Sequence, residues 1–151
     1  MTHLKTKDAV PRRVLIVDDD TSIDVLWETV LRTMGIDMKV DWATSEVEAS
    51  AMIASLLQQN LFYDLIVADI FLSGSGTGLD LWQKATLAQR ERFVIVSSSN
   101  EKKIAEHLKS HTLMPNFLPK PLNLNDMRKV TDKIFNLGSI TNAPMSMDPF
   151  V

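Results

Sequence analysis

Two strand-length apolar runs, each ending abruptly in acid, constrain this chain more than any other feature. Val14-Leu15-Ile16-Val17 runs into Asp18-Asp19-Asp20, and Leu65-Ile66-Val67-Ala68 runs into Asp69. A short unbroken apolar run reads as a strand buried on both faces, which is the habit of parallel sheets covered by helices. Parallel α/β sheets build their sites at the carboxyl ends of the strands, so both acidic signals point to one pocket. Three carboxylates within ~4 Å of one another repel by roughly 4 kcal/mol per pair at an effective dielectric of ~20, so such a pocket calls for a cation or a proton. An all-oxygen donor set suits Mg²⁺.

The intervening sequence supports alternation of strand and helix. Ile23, Leu26, Trp27, Val30, Leu31 and Met34 recur at helical spacing before Gly35, and Thr21 with Asp24 resembles a capping box at the start of that helix. Met38 to Trp42 alternates as a second strand. Ser45 with Glu48 opens a second helix with Val47, Met52, Ile53, Leu56 and Leu57 on its apolar side. Leu65 to Ala68 is the third strand, followed by the permissive loop Ser73-Gly74-Ser75-Gly76-Thr77-Gly78 and a helix from near Leu79. Phe93 to Val96 is a fourth strand, Glu101 to Leu108 a short helix, and Asn116 to Leu118 a fifth strand before Lys120-Pro121. Asn123 with Asp126 caps a last helix bearing Met127, Val130 and Ile134. The expected fold is α/β: a flavodoxin-like, doubly wound, five-stranded parallel sheet of the (βα)5 kind.

A chain of 151 residues fits one domain that buries roughly two thirds of its unfolded surface. We divide it into a polar amino-terminal arm over 1–12, the domain over 13–137, and a tail over 138–151 that is either disordered or a docking peptide. With no cysteine there is neither a disulfide nor a thiolate metal site. A formal net charge of −3 supplies no basic footprint for nucleic acid. Neither a membrane span nor a secretory signal is legible, which leads to the expectation of a soluble, cytoplasmic protein.

Four motifs at consecutive strand ends then come together: Asp18-Asp19, Asp69, Ser97 and Lys120-Pro121. In order and spacing they resemble the receiver domain of two-component response regulators, over residues 13 to about 136. The resemblance implies that Asp69 is the phosphoacceptor, taking a phosphoryl group from a phosphohistidine on a histidine kinase or histidine phosphotransfer protein. It implies Mg²⁺ as cofactor, with Asp19 as direct ligand, Asp18 acting through a bound water, and Asp69 and the main-chain carbonyl of Phe71 completing the protein's share. Ser97 and Lys120 would contact the phosphoryl oxygens. Ser97 and Phe117 would form the switch, read by an unknown downstream protein on the surface of the Glu101–Leu108 helix, the fifth strand and the last helix. Such a protein catalyses only its own phosphorylation and dephosphorylation. The expectation is a stand-alone receiver, monomeric or weakly dimeric.

The chain departs from the family pattern at three places. Ser73 stands where proline is usual and its loop is one residue longer, Phe71 is bulky and apolar where many relatives are polar, and Phe117 lacks a tyrosine hydroxyl. A phosphorylation-independent receiver-like module is the main alternative reading. A haloacid-dehalogenase-type phosphatase with Asp18 as nucleophile is a weaker one, and a flavodoxin weaker still, since acids occupy its phosphate cradle. Asp20 alone is most simply a helix cap. Trp27 and Trp42 read as core and Trp82 as partly exposed. His3, His107 and His111, like the basic residues of the last two helices (Lys102, Lys103, Lys109, Arg128, Lys129 and Lys133), read as solvated surface.

Overall fold

The structure, a computed structural model, describes residues 10–98 and 114–141, with side chains to Leu137. Five strands, β1 (Arg12–Val17), β2 (Met38–Ala43), β3 (Leu65–Asp69), β4 (Phe93–Ser97) and β5 (Asn116–Pro119), form one sheet in the order β2-β1-β3-β4-β5. Every pairing is parallel. The described helices are α1 (Thr21–Thr33), α2 (Glu46–Gln58), α3 (Gly78–Lys84), the short α4 (Leu87–Arg90) and α5 (Leu124–Thr141). The expected helix over Glu101–Leu108 lies outside the described residues. None of the described helices is long and apolar enough to cross a membrane.

The apolar runs are buried for the reason their composition suggests. β1, β3 and β4 are covered on both faces: Leu15, Val17, Ile66, Ala68 and Ile95 face a core shared with α2 and α3, while Val14, Ile16, Val67, Val94 and Val96 face a core shared with α1 and α5. The chain steps outward from β1 to β2, then crosses back to β3 and continues to β5. The reversal between β1 and β3 is the topological switch point, where open α/β sheets leave a crevice beyond their carboxyl ends. Asp18 and Asp69 both lie there.

Local sequence chemistry sets most boundaries. Gly35, at φ +65°, follows α1, and Asn60, at φ +60°, follows α2. The Ser45 side chain caps α2 by accepting the Glu48 N–H, and Asn123 accepts the N–H groups of Asn125 and Asp126 at the start of α5. At α1 the cap is Asp20, not Thr21: the Asp20 carboxylate accepts the Ser22 N–H, and Thr21 is the first helical residue. A carboxylate one position earlier satisfies the same orphan donors and suits the positive end of the helix dipole.

Other differences have packing causes. β1 begins at Arg12, because the Arg12 guanidinium lies over the Phe135 ring at 5.0 Å and pairs with Asp64 at 3.5 Å, drawing the end of the expected arm into the sheet. On α2 the inward line is Ala49, Met52, Ile53 and Leu56, so Val47 and Leu57 are exposed while Glu46 is buried. Trp82 is buried rather than partly exposed, between the sheet and the Arg90 guanidinium 4.7 Å above its ring. Trp42, expected in the core, is only partly buried against it. α4 was not anticipated, although Thr86 with Gln89 carries a capping signature, and the Thr86 side chain does accept the Gln89 N–H. α5 continues to Thr141, past Gly138 where the domain was expected to end; an interior glycine costs a helix only about 1 kcal/mol.

Gly78 shows how tightly the site's own loop is packed. A Cβ at this position would stand 2.2 Å from the Asp69 carbonyl oxygen, while the Gly78 N–H donates to the Ile70 carbonyl at 3.1 Å. Gly78→Ala should therefore destabilise the protein by about 1–3 kcal/mol despite the better helix propensity of alanine, measurable as a lower urea midpoint with an unchanged slope.

Candidate functional site

Three adjacent aspartates leave β1 and meet three different environments. Asp18 is buried; its N–H donates to the Ala43 carbonyl at 2.9 Å, and its Oδ1 accepts the Asp20 N–H at 2.8 Å. Asp19 is exposed, with its Oδ2 3.3 Å from the Ser73 hydroxyl. Asp20 turns back to its own helix, accepting the Ser22 N–H at 3.0 Å and hydroxyl at 2.7 Å, and these bonds hold its carboxyl below the usual carboxylate range. Burial pushes the Asp18 carboxyl up to about 6, the Asp20 N–H opposes that shift, and the neighbouring Asp69 charge adds to it.

Asp69 ends β3 and is 5% exposed. Its Oδ1 accepts the Phe71 N–H at 3.1 Å, and its Oδ2 meets the Lys120 ammonium at 2.7 Å. The lysine arrives from beyond β5, two strands away, its N–H donating to the Ser97 carbonyl at 2.9 Å; the Lys120–Pro121 peptide is cis. Burial, the largest influence, draws the Lys120 pKa down. The hydrogen bond to Asp69 and the charges of Asp69, Asp18 and Asp20 together outweigh it and leave the ammonium above its ordinary value. Ser97 is fully buried at the end of β4, Phe117 is partly buried on β5, and Phe71 is 63% exposed beside the carboxylate to which its N–H is bonded.

The switch point thus gathers Asp18, Asp69 and Lys120 into one group of interacting charges, with Ser97 at the adjacent strand end, while Asp19 is exposed and bonded to Ser73. Among the described residues no three acidic or histidine side chains converge closely enough to cage a metal by themselves. Asp19 leans toward Ser73, and Asp69 is drawn to Lys120, so the expected three-carboxylate cluster is more open than the sequence suggested. The donor set nevertheless fits Mg²⁺. That ion takes one or two carboxylates and keeps several waters, and the chain offers here the buried carboxylates of Asp18 and Asp69, the exposed one of Asp19 and a main-chain carbonyl. Asp18, Asp19, Asp69 and the Phe71 carbonyl are the oxygens that could hold it.

The crevice is braced from the side of α2 by contacts that carry little local signature in the sequence. Ser73 forms an isolated parallel bridge with Ser45, and its N–H donates to the Thr44 carbonyl at 3.3 Å. Glu46 is buried between Lys84, at 2.8 Å, and the Ser50 hydroxyl, at 2.6 Å. The only sequence signal for this contact is Gly76, where a Cβ would come within 2.7 Å of the Glu46 Cβ.

Comparison with known proteins bears on the family and the fold. The family model of the response regulator receiver domain matches residues 14–132. Among solved structures, a response regulator receiver domain protein from Clostridium thermocellum superposes with a TM-score of 0.67 at 16% identity, covering 86% of this chain and 98% of that one. A two-component response regulator from Cytophaga hutchinsonii gives 0.66 at 20% identity, covering 85% and 99%. The receiver domain of a sensor histidine kinase from Pseudomonas aeruginosa, with magnesium coordinated in its active-site cleft, gives 0.63 at 19% identity, covering 84% and 99%. At these identities the superpositions bear on the fold. A search of curated protein sequences found no match.

The Asp18 carboxyl gives the crevice a pH signature. Its folded pKa, about 6, lies above the ordinary 3.8, so the folded state binds the proton more tightly, and this group's contribution is most favourable at low pH and is lost as pH rises through 6. Without metal, Asp18→Asn should be more stable than the parent by about 1–3 kcal/mol at pH 8, with the difference closing toward pH 4. Urea unfolding across that range in the presence of a chelator measures it.

Proposed function

Since this chain belongs to the response regulator receiver domain family, we propose that it is the phosphoacceptor of a two-component or phosphorelay system, with Asp69 taking a phosphoryl group from a phosphohistidine on a histidine kinase or histidine phosphotransfer protein. The observation that carries this reading is the Asp69 carboxylate, buried at the end of β3 with one oxygen 2.7 Å from the Lys120 ammonium. In the transfer an Asp69 carboxylate oxygen forms the new O–P bond as the P–N bond of the phosphohistidine breaks. The departing imidazole keeps the electron pair and takes up a proton.

The chain's own groups supply position and charge. The Phe71 N–H holds one Asp69 oxygen and so fixes the plane of the carboxylate. Lys120 neutralises charge on the carboxylate before transfer and remains beside it for the phosphoryl oxygens afterwards. Ser97, at the neighbouring strand end, would donate its hydroxyl to the same group, and Phe117 would repack as that hydroxyl shifts inward. A bound Mg²⁺, held by Asp18, Asp19, Asp69 and the Phe71 carbonyl, would screen the repulsion between the incoming phosphoryl oxygens and the acids.

On this reading the protein is no enzyme beyond its own phosphorylation and dephosphorylation. It works in the cytoplasm, as a monomer or weak dimer, and passes its state to a protein target rather than to nucleic acid. Phe71 shields the acyl phosphate from water.

Intact-mass spectrometry after incubation with Mg²⁺ and acetyl phosphate should show one added phosphoryl group on the parent chain and none on Asp69→Asn. No adduct from either acetyl phosphate or phosphohistidine donors, with Mg²⁺ binding demonstrated, would favour a phosphorylation-independent interaction module. The same assay, followed over time, should show Phe71→Asn losing its phosphoryl group several-fold faster than the parent. An unchanged or longer lifetime would refute the shielding role.

A further inference from the structure

At the end of the sheet opposite the acidic crevice, where β5 begins at Asn116, a groove of about 370 Å³ opens between α3, α4, β5 and α5. Its apolar lining is Trp82, Leu87, Met114 and Leu137; the tryptophan is buried, whereas Leu87 is 66% and Met114 43% exposed. Apolar side chains grouped in one groove, rather than scattered singly, are the form that docking surfaces take. The rim carries the Arg90 and Lys133 cations against the one carboxylate of Glu91. Among the described residues neither cation is ion-paired: Arg90 donates to the Trp82 and Gln83 carbonyls and lies over the Trp82 ring, and Lys133 donates to Asn116 Oδ1.

We propose that this groove is the docking site of the chain's own segment after Thr141, Asn142-Ala143-Pro144-Met145-Ser146-Met147-Asp148-Pro149-Phe150-Val151. Leu137 lines the groove and α5 ends at Thr141, about 6 Å further along the helix axis, whereas the residues that follow span up to roughly 35 Å when extended. The segment is therefore long enough to turn back and lie across the groove. Another apolar groove, between α2, α3 and α4, is lined by no residue of α5. Pro144 and Pro149 disfavour a continued helix and favour an extended backbone, in which Met145 and Met147 project to one side and Ser146 and Asp148 to the other. Methionine is unbranched and polarizable, so it fills an irregular apolar groove and makes favourable contact with an aromatic edge. Asp148 brings a carboxylate to a rim where two cations face only one. A segment tethered this close is present at an effective concentration on the order of 1 mM, so even a weak contact is occupied. The docking does not depend on the chemistry proposed for Asp69.

Because the chain has no cysteine, Ser146→Cys gives the full chain a single attachment point for a nitroxide, on the side of the extended segment turned away from the methionines. In amide NMR spectra the oxidised label should broaden away the Leu87 and Arg90 signals and the Trp82 indole signal, and reducing the label should restore them. The signals of Ile53 and Leu57, in the groove between α2, α3 and α4, should not change. Adding Met145→Asp and Met147→Asp to the labelled chain should restore the Leu87, Arg90 and Trp82 signals with the label still oxidised. Leu87→Asp, at a position too exposed for the fold to depend on it, should do the same for Arg90 and Trp82. Broadening that survives these substitutions, or Leu87 and Arg90 signals that the label never affects, overturns the proposal. Broadening passed from spin-labelled chains to isotope-labelled, spin-free chains mixed with them makes the occupant a second copy's segment, and overturns it too.

Discussion

The ion pair between Asp69 and Lys120 is the contact on which the site depends. It joins the end of β3 to the segment beyond β5 across the intervening β4, and both partners are substantially withdrawn from water. Such a pair contributes little net stability, because desolvation of the two charges offsets much of their attraction. Removing either partner, by contrast, would leave an unpaired charge at the mouth of a buried sheet. The backbone around the pair is accordingly tight, with Gly78 pressed on the Asp69 carbonyl, Ile70 bonded to Val96 and Lys120 bonded to Ser97. The pair fixes one Asp69 oxygen at a defined point, 2.7 Å from an ammonium.

Three aspartates in succession show how much one residue of displacement decides. Asp18 lies where the strand is still covered and carries a raised pKa from burial; Asp20 lies where the helix begins and carries a lowered one from two hydrogen bonds. Asp19, between them, is exposed and bonded to a serine 54 positions further along the chain. The same residue type is thus a buried carboxylate, an exposed one bonded to a serine, and a helix cap, and backbone environment alone separates them.

Phe71 and the α2 corner flank the crevice on two sides. Phe71 is exposed as a side chain but tied by its N–H to Asp69, so its backbone is fixed at the mouth of the crevice while its ring faces solvent. On the other side Thr44, Ser45 and Glu46 hold the glycine-rich loop after β3 against α2. That loop is permissive in sequence and held in place by its neighbours.

The elements of the fold, and the Asp69 and Lys120 side chains that meet at its switch point, were largely legible in the sequence. Unbroken apolar runs specify strands buried on both faces, 3.6-residue periodicity marks α1 and α5, and Ser45 and Asn123 announce their helices by chemistry that acts within three residues. Asp69 was recognisable because it stands directly after such a run, and Lys120 through the resemblance carried jointly by the four strand-end motifs. The tertiary structure decided what depends on sheet order and on which helix face turns inward: that Trp82 is buried under Arg90, that Val47 and Leu57 face solvent while Glu46 does not, and that Asp18 rather than Asp19 is desolvated. It also decided the contacts of Ser73 with Asp19 and of Lys120 with Asp69, between residues 54 and 51 positions apart. Periodicity and capping act over one or two turns of chain, whereas these contacts exist only once β3 has crossed to the far side of β1.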